Sequence, residues 1–351
     1  MRKRIASIIV LILLTLSMLV ACPPDESEYR ITYILVGGQN NPNNVTKFKR
    51  EDLKITLYDP TKEGFTFDGW YSDSDFTKKV TLLSQAQNYV LYAKWVNGNG
   101  YALTFDEDFN GDELDMDVWN YDIGTGSGGW GNGELQYYTG NNKTGESGNI
   151  VISDGTLKII AKREQYGGKD FTSARIKTKD NFAQTFGRFE ARIKLPEGVG
   201  LWPAFWMMPQ DSVYGTWPQS GEIDIMEARG REPDKTTYAF HYGSISGSVH
   251  PYQTGKYTLS TPITEWHVYA VEWNSEKIDF YVDDILMESF STSLAWTPNP
   301  AHHEKTDASP FDQDFYIILN MAIGGTFDGG AEPDSSFTSA TMEVDYVRVY
   351  K

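Results

Sequence analysis

The chain has 351 residues, of which 31 are basic and 48 acidic, giving a formal net charge of −17 at pH 7. A body this acidic repels nucleic acid and other polyanions at long range, so no nucleic-acid partner is expected and a neutral substrate fits better than a sulfated one. Cys22 is the only cysteine, which excludes an intrachain disulfide. No thiol or histidine cluster suggests zinc, and no phosphate-cradling loop suggests a nucleotide.

The amino terminus reads as an export signal. Arg2-Lys3-Arg4 precedes an apolar run from Ile5 to Val20, and Pro23-Pro24-Asp25-Glu26 stops it. The run is shorter than the ~20 residues that a spanning helix needs. Leu19-Val20-Ala21-Cys22 resembles the lipobox of bacterial lipoproteins, which implies a signal peptide over 1–21, lipidation of Cys22 and a tether over 22–28. Removing 1–21 takes the net charge to −20. The expectation is an extracytoplasmic monomer, lipid-anchored to a bacterial membrane.

Residues 29–96 carry a small strand-rich unit. Arg30–Val36 is β-branched and aromatic, a Gly- and Asn-rich turn follows, and Gly64–Tyr71 and Tyr89–Trp95 alternate as strands do. Pro60–Tyr71 and the closing Leu91-Tyr92-Ala93-Lys94-Trp95 resemble the internalin B-repeat, or Listeria–Bacteroides type, of bacterial surface module. That resemblance implies a compact β-grasp-like fold. Trp70 and Trp95 read as its core aromatics rather than a sugar platform, since so small a unit needs its large side chains inside. Val96 and residues 97–100 read as a polar, glycine-rich linker. From 101 to 351 short β segments alternate with Gly, Asn, Asp and Pro turns, and helical periodicity is absent. An all-β fold, one large sandwich with a jelly roll as its natural candidate, is expected there.

Within it, Glu222-Ile223-Asp224-Ile225-Met226-Glu227 packs three acids into six residues of strand-forming sequence. Alternation puts Glu222 and Asp224 on one face and Ile223 and Ile225 on the other, but would then send Glu227 among the isoleucines. A lone carboxylate buried there costs several kcal/mol, roughly. One extra residue, a β-bulge near Ile225-Met226, returns Glu227 to the acidic face. A solvated strand face remains the other reading of this pattern. Just upstream, alternation over Leu201–Pro209 sets Trp202, Ala204 and Trp206 on one face, a surface suited to stacking on pyranose rings or equally to a core. The loop Gly128–Tyr138 adds aromatic and amide groups on glycines that allow close approach of a ligand.

These motifs, with Glu107–Gly111, Trp266–Trp273, Leu319–Gly325 and Val344–Tyr350, resemble glycoside hydrolase family 16 across nearly all of 101–351, and its laminarinase-like, endo-β-1,3-glucanase branch most closely. The resemblance implies a β-jelly-roll sandwich with a concave substrate cleft and a retaining mechanism. It makes Glu222 the nucleophile, Glu227 the general acid/base and Asp224 a partner that tunes the nucleophile. A retaining pair stands ~5–5.5 Å apart, so the sheet must curve. The resemblance further implies sugar contacts from Trp130, Asn132, Arg175, Trp202, Trp206 and His241. It implies no cofactor for catalysis, and a structural calcium at Asp108, Asp345 and the Gly155 carbonyl; from the residues alone, Asp106-Glu107-Asp108 also reads as a solvated strand start. The expected substrate is a laminarin-like β-glucan. A non-catalytic glucan-binding surface protein, or a hydrolase of mixed-linkage glucan or a galactan, stays open on the same scaffold.

Overall fold

The computed structural model describes residues 28–140, 148–243, 251–298 and 308–351. The signal peptide, Cys22 and nearly all of the 22–28 tether lie outside the described residues.

From residue 101 onward two sheets lie face to face, as period-2 alternation with one apolar face demands. One is a seven-stranded antiparallel sheet, in the order Tyr252–Thr258, Lys235–His241, Glu222–Glu227, Leu201–Pro209, Phe315–Ile323, Arg175–Lys177 and Asn120–Tyr121. Phe205, Ile223, Phe240 and Ile317 point from it into the interior. Phe189, Val271, Phe280 and Val347 meet them from the opposing sheet, whose strands include Gly187–Lys194, His267–Trp273 and Ser339–Tyr350. Every residue of Phe315–Ile323 is buried, so this strand is the middle of the molecule; Leu201–Pro209 beside it carries the tryptophans, and Glu222–Glu227, one strand further, carries the acids.

In the small unit, Glu28–Ile34 and Tyr89–Val96 run parallel as a central pair. Trp70 and Trp95 are buried in its core, their indole N–H groups donating to the Tyr58 and Leu35 carbonyls at 3.2 and 2.6 Å. Core packing thus absorbs both aromatics.

The junction is a hairpin. Trp95 and Val96 pair with Leu103 and Ala102, and the turn between them is closed by Asn97, whose Oδ1 accepts from the Asn99 and Tyr101 amides at 3.0 Å. Residues 97–100 therefore form a tight turn inside a continuous sheet, not a slack spacer. Leu103 and Tyr350 belong to the same apolar cluster as Trp70, Leu91 and Trp95. Lys62 of the small unit meets Asp106 at 2.5 Å, and Arg348 meets the other Asp106 oxygen at 2.8 Å. The Lys62 and Asp106 side chains are only 6% and 1% exposed, so each ion needs the other.

Candidate active site

The acidic strand is bulged where alternation requires. Ala204 pairs with Glu227, Phe205 with Met226 and Trp206 with Asp224, which leaves Ile225 without a partner. Ile223, Ile225 and Met226 are all fully buried in the core. Glu222, Asp224 and Glu227 all line one cleft of about 300 Å³, together with Trp130, Trp202 and Trp206. The bulge lets two successive aliphatic side chains face inward while the acids stay together.

Each glutamate is held by an indole. Trp202 Nε1 donates to Glu227 Oε1 at 2.9 Å, and Trp217 Nε1 donates to Glu222 Oε2 at 2.6 Å. His241 Nε2 lies 3.1 Å from Asp224 Oδ2 and 4.0 Å from Glu222 Oε1, and its ring stacks on Tyr252 with centroids 5.3 Å apart. One donor atom from each of Glu222, Asp224 and His241 falls within 4.8 Å of the other two. The same three groups are engaged with one another and with Trp217, so their arrangement is that of a proton-sharing cluster.

Low dielectric and mutual repulsion keep these acids from ionising together. Burial, and next the Asp224 charge, push the Glu222 carboxyl up to about 8. Burial pushes Glu227 up to about 7, against the Trp202 N–H, which favours the anion. Asp224 is raised well above the usual carboxylate range, by burial first and the Glu227 charge second. The trio titrates as a unit and retains protons near neutral pH. On these values Glu227 ionises before Glu222, the reverse of what a Glu222 nucleophile and a Glu227 acid require, so the roles rest on geometry and the reactive form is the one that holds the shared proton on Glu227.

The far wall is braced rather than loose. The Arg175 guanidinium lies between the Trp130 and Trp206 rings, 4.9 and 4.6 Å from their centroids, with Nε 3.0 Å from Asp122. Trp206 Nε1 donates to Asn320 Oδ1 at 2.7 Å, Asn320 Nδ2 donates to the Tyr138 hydroxyl at 3.1 Å, and that hydroxyl donates to Glu134 at 3.0 Å. Glu134 also accepts from Gln136 at 2.6 Å and Asn132 at 3.3 Å. The loop reaches this position only with glycine at 129, where a Cβ would sit 2.5 Å from the Glu134 amide.

The family model for glycosyl hydrolases family 16 matches residues 130–346. This chain belongs to glycosyl hydrolases family 16. The family 16 domain is preceded by a match to the Listeria-Bacteroides repeat domain over residues 29–94. A glucan endo-1,3-beta-glucosidase A1 of Niallia circulans is 40% identical over 271 residues, covering 72% of this chain and 38% of the relative. A glucan endo-1,3-beta-glucosidase of Cryptopygus antarcticus is 39% identical, covering 71% of this chain and 91% of the relative. The X-ray structure of the laminarinase from Rhodothermus marinus superposes with a TM-score of 0.62 at 40% identity, over 72% of this chain and 97% of that one. The chain thus spans well under half of the Niallia relative and most of the other two. Its larger domain is the β-jelly roll of a glycoside hydrolase.

All six residues expected at the sugar are in or beside this family 16 cleft: Trp130, Asn132, Arg175, Trp202 and Trp206 line it, and His241 bonds to the acids. The tryptophans do more than stack. Trp202 bonds to Glu227 and Trp206 to Asn320, so both rings are oriented by their N–H groups. Four participants have no expectation behind them: Trp217, Asn320, Glu134 and Phe327, which stacks on Trp202 at 4.8 Å and 18°. Trp217 sits five residues before Glu222, next to Pro218, a proximity that could have drawn notice.

Asp108 and Asp345 are remote from the cleft: Asp108 directly follows the strand Ala102–Glu107, and Asp345 lies on Ser339–Tyr350, which pairs with that strand in the opposing sheet. Asp108 accepts from the Asn110 amide at 3.3 Å, Asp345 meets Arg192 at 2.7 Å, and a Cβ at Gly155 would lie 3.4 Å from Asn110 Oδ1. The Arg192–Asp345 pair is about one-third exposed on each side, so it adds little stability.

Proposed function

We propose that this family 16 enzyme is an endo-β-1,3-glucanase acting with retention on laminarin-like glucans. The observation that carries the reading is the bulge at Ile225, which sets Glu222 and Glu227 in one cleft with an indole N–H on each. Glu222 attacks the anomeric carbon while Glu227 gives its proton to the departing glycosidic oxygen. Water then attacks the glycosyl ester, Glu227 takes the proton back, and Glu222 leaves as carboxylate. Asp224, hydrogen-bonded to His241, holds the proton that keeps two adjacent carboxylates from both being charged. The Trp130–Arg175–Trp206 stack and the face of Trp202 present flat apolar surface to the sugar rings. Glucanase names among the relatives support the substrate class.

The deciding experiment is Glu222→Gln assayed on laminarin for new reducing ends and for binding. Hydrolysis is expected to fall by at least about a thousandfold with binding intact. Near-full activity in the variant would sink the assignment. Binding by the wild type without any new ends would point to a glucan-binding surface protein, and product profiles on mixed-linkage glucan and sulfated galactans would expose a different polymer.

Two further readings rest on the sequence. Lipidation of Cys22, and with it an extracytoplasmic, membrane-anchored protein, is the reading of the signal-like amino terminus; alkyne-fatty-acid labelling lost in Cys22→Ala tests it, and light scattering tests the monomer expected alongside it. A structural calcium at Asp108, Asp345 and the Gly155 carbonyl would have water completing its six to eight oxygens. Chelation should then lower the melting temperature, and an unchanged melt would exclude the ion.

A further inference from the structure

Arg229 leaves the acidic strand two residues after Glu227 and turns back over the short 3-10 turn Thr326–Asp328. Its guanidinium lies 3.9 Å above the Phe327 ring, and its Nε donates to the Phe327 carbonyl at 2.8 Å. The opposite face of Phe327 is against Trp202, whose N–H holds Glu227. The turn is anchored beneath by Asp328, which is buried, accepts from the Gly200 amide at 3.2 Å, meets Arg231 at 2.8 Å and lies 4.0 Å from Arg229 Nε, so its carboxylate partly offsets the Arg229 charge. Guanidinium, phenyl and indole therefore form a three-layer stack ending on a carboxyl of the cleft.

Such a stack costs something to hold. Arg229 and Phe327 sit at a glycine-rich rim, where Gly324, Gly325, Gly329 and Gly330 all take positive φ. A core does not need a cation over a half-buried phenylalanine there. We propose that Arg229 and Phe327 are positioning residues for the general acid: Phe327 clamps the Trp202 indole so that its N–H stays on Glu227, and Arg229 fixes Phe327 while placing a positive charge at that end of the cleft. This inference rests on the assignment of Glu227 as the acid/base.

The electrostatic consequence has a definite sign. Glu227 feels Glu222 and Asp224 from its own strand, His241 from the next strand, the Trp202 N–H from the strand on its other side, and Arg229 beyond the strand end. The like charges raise its pKa; the N–H, His241 and Arg229 lower it. Removing Arg229 takes away a lowering influence, so Glu227 keeps its proton to higher pH. The limb of the rate profile that falls on the alkaline side, where the acid loses its proton, should move upward.

The test is the pH dependence of kcat/KM on laminarin for Arg229→Met, Arg229→Lys and Phe327→Leu, each checked for folding by its thermal melt. Arg229→Met keeps an apolar stem over the ring but removes the charge; its alkaline limb is expected to move upward by a few tenths of a pH unit, on the order of the small end of charge effects on a carboxyl. Arg229→Lys should restore the limb to the wild-type position. Phe327→Leu should lower kcat by about tenfold with KM nearly unchanged and the limb moved less. An alkaline limb that stays in place in Arg229→Met, whatever happens to the melt, overturns the inference, as does a change confined to KM in both Arg229→Met and Phe327→Leu. Failure of the underlying assignment shows separately, as persistent activity in Glu227→Gln.

Discussion

The Trp217 indole N–H donates to Glu222 Oε2 at 2.6 Å from a side chain that is itself 48% exposed. A bond to a charged acceptor at the edge of a cleft is stronger than one between neutral groups, and it favours the anion that must attack. The ring also lies 6.1 Å from His241, which bonds to Asp224, so one loop residue connects to two of the acids.

Trp217→Phe keeps an aromatic face and removes the donor. The expected result is a fall in kcat on laminarin of about tenfold to a hundredfold, the equivalent of about 1.5–3 kcal/mol for a hydrogen bond to a charged group. Steady-state kinetics check it. A loss in KM alone would mean that Trp217 serves only as a sugar platform.

The three acids make the fold sensitive to pH in one direction. Their pKa values lie above those of the unfolded chain, so the folded state keeps protons that the unfolded chain has released. That contribution is fully present below about pH 4.5 and is lost as pH rises through the values near 7 and 8. Glu222→Gln removes one such group and should gain about 3–4 kcal/mol relative to wild type between about pH 5 and about pH 8. Urea midpoints of both proteins at the two pH values measure this, and a constant difference between them would contradict it.

Asp106 ties the small unit to the larger domain through Lys62 and Arg348. Asp106→Ala strands a buried ammonium and should destabilise the whole chain by about 3–5 kcal/mol. Because the two parts share a sheet and an apolar cluster, differential scanning calorimetry should show one cooperative transition that moves down as a unit. Two transitions, with only one displaced by the substitution, would show that the parts unfold independently.

Ile225, the unpaired residue of the bulge, is fully buried. Ile225→Ala leaves a cavity beneath the acids and should cost about 2–5 kcal/mol of stability, read from denaturant titration. A loss below about 1 kcal/mol would mean that the bulge collapses easily onto its own core.

The parts of the site that were readable in the sequence are those governed by a local period. Two-residue alternation placed Trp202 and Trp206 on one face and required an irregularity before Glu227, because a carboxylate among Ile223 and Ile225 would have been intolerable. What alternation cannot express is the direction of an indole N–H. Trp202 and Trp206 therefore read as stacking surfaces, and their bonds to Glu227 and Asn320 did not. Asn320 is 114 residues from Trp206 and meets it only because Phe315–Ile323 lies beside Leu201–Pro209. Phe327 and Arg229 were hidden for the same reason, since strand order decides their contact. Asn97-Gly98-Asn99-Gly100 is a different case: the composition suits a slack linker and a hairpin turn alike, and only the pairing of Trp95 with Leu103 separates them.

That hairpin has a mechanical consequence. The small unit and the hydrolase domain are held at one angle in the structure by backbone bonds, a buried ion cluster and shared apolar side chains. Whatever grips the small unit also sets the compass bearing of the cleft. A long glucan must then do the swivelling itself, bringing its bonds to a blade held at a fixed angle.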